Sequence, residues 1–232
     1  MPLGRWLAGL LAAVCVVIFA QEARAQGRCD SLRPEVPADY FQARGCGLLS
    51  SVEQFHIGPG KEKLNARFYE GAYGDFSFIL NQFPNHPTAL LLMAQTCEQW
   101  KSPRCRAQEW FERAVAFKSD VPGTYVAQGI YLHRAKQYPL AIQSFKSALA
   151  LDPDSMNAHY NLGLSYLETK QYALANEQAQ RAYALGAQLP GLRNWLERVG
   201  QWKPLDLQPQ TVTTPDSGTS NKNSAGEKPP TK

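Results

Sequence analysis

Small and apolar residues in the middle of the chain recur with one long period. A shift of 34 residues superposes Gly129 on Gly163, Tyr138 on Tyr172, Ala141 on Ala175 and Ala148 on Ala182 without a gap. The same shift toward the N-terminus brings Ala107, Phe111 and Ala114 into register with Ala141, Phe145 and Ala148. Three units follow, 88–121, 122–155 and 156–189, and a period of this length predicts one pair of antiparallel helices per unit. Gly129 and Gly163 are expected to face Ala141 and Ala175 where the two helices approach closely, with Phe111 and Phe145 filling the space beside them. Ala148 and Ala182 fall where a second helix meets the next unit, and Pro153 ends the helix before it.

The central unit reads Tyr125-x-x-Gln128-Gly129-x-x-Leu132, then Ala141-x-x-x-Phe145, Ala148 and Pro153. The last reads His159-x-x-Leu162-Gly163-x-x-Tyr166, then Ala175, Ala179 and Ala182, with Ala187 in place of the closing proline. The first is weaker in its opening helix, where Ala94-Gln95 stand for Leu-Gly. On these residues the chain resembles the tetratricopeptide repeat (TPR) family. The resemblance implies an all-α fold, a right-handed α-solenoid of about three TPR helix-turn-helix units with capping helices at both ends. Phe83-Pro-Asn-His-Pro87 and Leu189-Pro-Gly-Leu-Arg-Asn194 are similar to segments of small exported proteobacterial repeat proteins.

In that family the first helix of each unit lines a concave groove that takes a protein or peptide partner. The matching positions are Leu92, Thr96 and Gln99 in the first unit, and Val126, Ile130, His133 and Arg134 in the second. The third unit contributes Asn157, Tyr160, Leu164 and Glu168. Leu92 and Thr96 stand where the chaperone-binding members carry Lys and Asn, so the carboxylate clamp of those members is not expected. The resemblance therefore implies a non-enzymatic adaptor or scaffold with a mostly apolar groove. The alternatives are a groove filled by the protein's own N-terminal arm or C-terminal helix, and a structural component of a cell-envelope machine acting by self-association as a homo-oligomer.

The flanks have a different character. Arg5, the apolar run from Leu7 to Ala20 and the small-x-small site Ala23-Arg24-Ala25 read as a cleaved signal peptide, residues 1–25. Its expected consequence is a periplasmic or secreted protein with no stable membrane insertion after cleavage. Residues 26–87 read as an N-terminal arm and a degenerate helical cap. Leu48, Leu49, Val52, Phe55 and His56 predict a short helix near 47–57, Gly58-Pro59-Gly60-Lys61 a turn, and Lys61 to Glu70 with Phe76, Ile79, Leu80 and Phe83 a helical pair. Leu192, Trp195, Leu196 and Val199 predict a capping helix within 190–203. Residues 204–232, with five Pro, five Thr and no aromatic, are expected to be a disordered tail.

Cys15 leaves with the signal, and Cys29, Cys46, Cys97 and Cys105 remain for an oxidising compartment. Four cysteines admit three pairings, and sequence neighbours are the simplest. Ser102-Pro103 predicts the start of the second helix of the first unit, which puts Cys97 and Cys105 at similar height on adjacent helices. Cys29 with Cys46 would tie the arm to the 47–57 helix. Buried free thiols are the alternative to a Cys97–Cys105 bond.

The remaining chemistry is sparse. A net charge of +4 over 232 residues is too mild to call for nucleic acid as a partner. There is no Gly-x-Ser-x-Gly elbow, no His-Glu-x-x-His helix and no phosphate loop. His56, His86, His133 and His159 are spread over separate elements, so no metal, cofactor or catalytic residue is expected. Glu53 with His56 is the only candidate acid–base pair, and one turn apart it reads as a solvated helix face.

Overall fold

The computed structural model describes residues 29, 32, 33 and 36–203, so the expectations of a signal peptide at 1–25 and a tail at 204–232 lie outside the described residues. Among the described residues there are ten helices and no strand. A four-residue helix α1 (Tyr40–Ala43) is followed by two long helices, α2 (Gly47–Asn65) and α3 (Tyr69–Gln82). Next come α4 (Pro87–Trp100) with α5 (Ala107–Phe117), α6 (Pro122–Arg134) with α7 (Tyr138–Leu151), and α8 (Met156–Glu168) with α9 (Tyr172–Ala184). A short helix, α10 (Gly191–Arg198), closes the stack.

The first helices α4, α6 and α8 pack side by side, while the second helices α5, α7 and α9 pack on first helices rather than on one another. The stack therefore curves with its first helices on the inner side. At the ends, α2 packs on α4 and α10 packs on α8, each extending the inner row by one helix.

Two sequence features hold each regular pair together. At the close approach, a Cβ on Gly129 would lie 2.5 Å from the buried Phe145 ring, and a Cβ on Gly163 would lie 2.7 Å from Leu192 of α10. At the turn, Arg67, Lys136 and Lys170 are left-handed, with φ of 60°, 59° and 59°. The next residues, Phe68, Gln137 and Gln171, donate backbone N–H to the carbonyls of Lys63, Leu132 and Tyr166, which closes a Schellman motif at each turn.

The α4–α5 pair departs from this plan. Its left-handed residue, Lys101 (φ 54°), makes the single bond from its N–H to the Cys97 carbonyl, and residues 101–106 connect the helices where 135–137 and 169–171 suffice elsewhere. Counting seven residues back from each left-handed residue gives Gly60, Ala94, Gly129 and Gly163. The first unit thus carries one extra residue before its second helix. Its opening helix aligns at a shift of 35, which corrects the ungapped reading: Ala94, not Gln95, takes the glycine position.

Ser102-Pro103 does not start α5. The Ser102 Oγ accepts from the Arg104 N–H at 3.3 Å and the Cys105 N–H donates to the Ser102 carbonyl, making a turn, and the helix begins at Ala107. The structure joins Cys97 to Cys105 and Cys29 to Cys46, with Cα atoms 5.0 and 5.4 Å apart.

The N-terminal part also differs from expectation. Gly58-Pro59-Gly60-Lys61 is not a turn: it lies inside α2, which runs on to Asn65, and α3 starts only at Tyr69. Buried Gly60 decides this, because a Cβ there would meet Phe76 of α3 at 2.5 Å. Before α1 the chain is pinned across the end of α3. The Ala38 N–H donates to the Gln82 carbonyl, the Tyr40 N–H donates to Asn85 Oδ1, and Asn85 Nδ2 donates to Asp39 Oδ1.

His86, 1% exposed, caps α4 from inside this corner. Its Nδ1 accepts the Ala89 N–H at 3.3 Å, so the other nitrogen carries the proton and Nε2–H donates to Glu53 Oε1 at 3.0 Å. Burial holds its pKa below 6.5, against the raising pull of Glu53. The unfolded chain therefore takes up this proton first as pH falls. The contribution of His86 to stability is complete above pH 6.5 and is lost progressively on acidification through the folded-state pKa. In urea titrations, the stability difference between the protein and H86N is expected to shrink between pH 7.5 and 5.5. A constant difference would show that His86 binds its proton equally well in the folded and unfolded chains.

Candidate functional site

The inner row of helices presents the residues that the TPR resemblance implied, with corrections. Val126, Ile130 and Leu164 are half-buried and form an apolar strip across α6 and α8. Arg134, Asn157 and Glu168 are exposed beside it. Thr96 is fully buried and its Oγ1 donates to the Leu92 carbonyl at 2.8 Å, so it is withdrawn from the face. With the extra residue counted, the positions in α4 that match Val126, Ile130, His133 and Arg134 are Leu91, Gln95, Glu98 and Gln99. Leu92 stays half-buried one position off this register, and Gln99 stays exposed on it.

Tyr160 is only 9% exposed, and its hydroxyl accepts the Leu192 N–H of α10 at 3.3 Å. The terminal helix therefore covers that end of the face. At the opposite edge Phe41 of α1 lies on Gly123, whose Cβ would come within 2.6 Å of the ring. Helices α1 and α10 thus touch the margins, and the strip of Val126, Ile130 and Leu164 between them remains partly open.

His133 is fixed rather than free. The Ser165 Oγ donates to the Asn161 carbonyl, so it accepts from the His133 Nδ1–H at 2.9 Å, and Nε2 remains the acceptor of the ring. Burial lowers the His133 pKa, Glu168 opposes that and Arg134 adds to it. Because its Nδ1 donates to Ser165, the imidazole does not act as a base toward that hydroxyl. Tyr138 stands edge-on to His133 at 5.2 Å. Ser165 and Tyr138 were not singled out for this site from the sequence. The only trace they leave there is the tyrosine shared by positions 138 and 172.

The other candidate chemistry resolves into structural pairs. Glu53 and His56 do not face each other: Glu53 bonds His86, whereas His56 Nδ1 lies 3.1 Å from Asp75 Oδ1 and stacks on Phe78 at 4.3 Å. Lys63 completes that group at 2.8 Å from Asp75 Oδ2. His159 is bonded to Gln178 Oε1 and the Pro153 carbonyl. Among the described residues no group of three His, Cys, Asp or Glu is placed to hold a metal, and no helix is long and apolar enough to cross a membrane.

Residues 131–170, from the end of α6 through α7 and α8 to the following turn, match the TPR repeat family. PilF of Pseudomonas aeruginosa is similar in structure, with 23% identity and a TM-score of 0.50 over 66% of this chain and 71% of that one. The fold is a TPR solenoid. MamA from Desulfovibrio magneticus RS-1 is similar at 21% identity and a TM-score of 0.46, over 65% of this chain and 87% of that one. YrrB, described as a TPR protein with an unusual peptide-binding site, gives 18% identity and a TM-score of 0.46 over 64% of this chain and 76% of that one. In this TPR solenoid the inner face combines an apolar strip with the exposed cation Arg134 and the exposed anions Glu98 and Glu168. Such a surface buries aliphatic or aromatic side chains and orients them by charged ends.

Proposed function

We propose that the chain is a non-enzymatic scaffold of the periplasm that binds a protein or peptide partner on the inner face of its TPR solenoid. The observation that carries the reading is the half-buried strip of Val126, Ile130 and Leu164, left partly open between the covering ends at Phe41 and α10. The signal-like N-terminus and the two cysteine pairs support an exported, oxidised protein. Burial of apolar side chains contributes ~25 cal/mol per Å² removed from water, so a partner's affinity should depend more on shape than on salt.

The test is a photo-crosslinker placed at position 130, with mass spectrometry to name the captured partner, followed by titration of that partner. I130E with L164E should weaken binding by about 100-fold, since two buried charges would meet the partner's apolar side chains. Unchanged affinity in a variant with an unchanged thermal midpoint would remove the inner face from the function. Tyr160 is unsuitable for this test because its hydroxyl holds α10.

A further inference from the structure

The irregular α4–α5 pair leaves a cleft of about 640 Å³ between α4, α5 and the end of α6. Its origin lies in the sequence. Regular pairs start their second helix with Tyr138 or Tyr172, each half-buried, whereas the position 34 residues before Tyr138 is Arg104. The Arg104 side chain is 79% exposed and points to Glu70 at 3.8 Å. No tyrosine occupies this place in the first pair, and residues 104–106 stay unwound beside the Cys97–Cys105 bond.

The cleft has an apolar floor and a charged mouth. Leu91, Ala94, Ala107 and the disulfide line it, and Gln95, Glu98 and Arg134 join it to the inner face. Three carboxylates, Glu98, Glu109 and Glu112, meet two guanidinium groups there. Arg106 is already taken by Glu109 at 2.9 Å. Among the described residues Glu98 and Glu112 have no cationic partner, and Glu112 accepts only from the Gln108 amide. Tyr131, stacked on Phe111 at 5.0 Å, adds a hydroxyl that burial and nearby Glu98 keep protonated.

We propose that this cleft receives one basic side chain, arginine or lysine, from a partner segment lying on the inner face. The aliphatic stem rests on Leu91, Ala94, Ala107 and the disulfide, and the cation lies between Glu98 and Glu112. The acidic excess at the mouth selects a cation over an anion, and the apolar floor selects a side chain over a free metal ion or a small amine. The proposal rests on the inner-face reading, but its test needs no partner.

The probes are N-acetyl-arginine methylamide, the lysine analogue, the neutral isostere N-acetyl-citrulline methylamide and N-acetyl-glutamate methylamide. Each is titrated into the full chain with its disulfides formed, followed by amide chemical shifts. The expected result is saturable shifts with arginine and lysine confined to 91–98, 105–112 and 131–135. Citrulline should bind roughly ten-fold more weakly, and E98Q with E112Q should bring arginine down to the citrulline level without changing the thermal midpoint. Equal binding of citrulline, stronger binding of glutamate through Arg134, or arginine shifts confined to Val126, Ile130 and Leu164 would overturn the cleft proposal. The inner-face reading is judged separately by I130E with L164E.

Discussion

Phe145→Ala is expected to lower the stability of the protein by about 3–5 kcal/mol. Phe145 is fully buried in α7, and its ring occupies the space that the missing side chain of Gly129 leaves in α6. A glycine cannot fill the hole from its own side, so on the α6 side at Gly129 the cavity faces helix backbone. Urea denaturation should show the midpoint falling with little change in slope. A loss below ~1 kcal/mol would mean that α6 and α7 close over the gap, which their shared Schellman turn at Lys136 opposes. F145L should recover most of the loss, since it keeps most of the volume without a polar atom.

The same contact explains what the sequence could and could not disclose. Glycine, alanine and phenylalanine at fixed offsets are a record of contacts within one helix pair, so a 34-residue shift reveals the pairs α6–α7 and α8–α9 directly. The register of α4 escaped that shift because the extra residue falls in the turn. The second helix still aligned without a gap, and Ala94 and Gln95 are both plausible substitutes in an alignment that ignores the turn. The consequence reaches the site: Thr96, expected on the inner face, is buried, whereas Gln95 holds the position matching Ile130 and Glu98 that matching His133.

At Gly58-Pro59-Gly60 local propensity pointed to a turn. A contact with Phe76, which lies 16 residues beyond Gly60, keeps α2 helical. The corner of Asp39, Asn85, His86 and Glu53 has no period at all. Its partners lie up to 46 residues apart, and only the fold brings them together. Of the inner face, the apolar centre was legible because Val126, Ile130 and Leu164 lie in the two regular pairs. Its covered ends were legible only as the alternative of a groove filled by the arm or the C-terminal helix, because the segments that close Tyr160 and Gly123 lie outside the repeat and carry no period.

Replacing Cys97 and Cys105 with alanine should lower stability by about 2.5 kcal/mol, the chain-entropy value for a loop this short. In α7 and α9 such a loss would be moderated by a first turn anchored through Tyr138 or Tyr172. The first pair has Arg104 at that place, so residues 104–106 gain no buried contact by winding into helix. The loss should also be local. A repeat stack transmits stability mainly between neighbours, and α8, α9 and α10 pack on α6, α7 and each other rather than on the pair that the bond joins. Amide exchange should therefore accelerate in 91–98 and 107–117 and stay near its original rate in α8 and α9. Uniform acceleration across all helices would show that the solenoid unfolds as one unit, with the α4–α5 pair as its weakest part. In the local case the loosened pair lets the cleft walls move apart, so arginine binding should weaken while the strip of Ile130 and Leu164 is unchanged. This separates a bond that shapes the cleft from one that merely stabilises the chain.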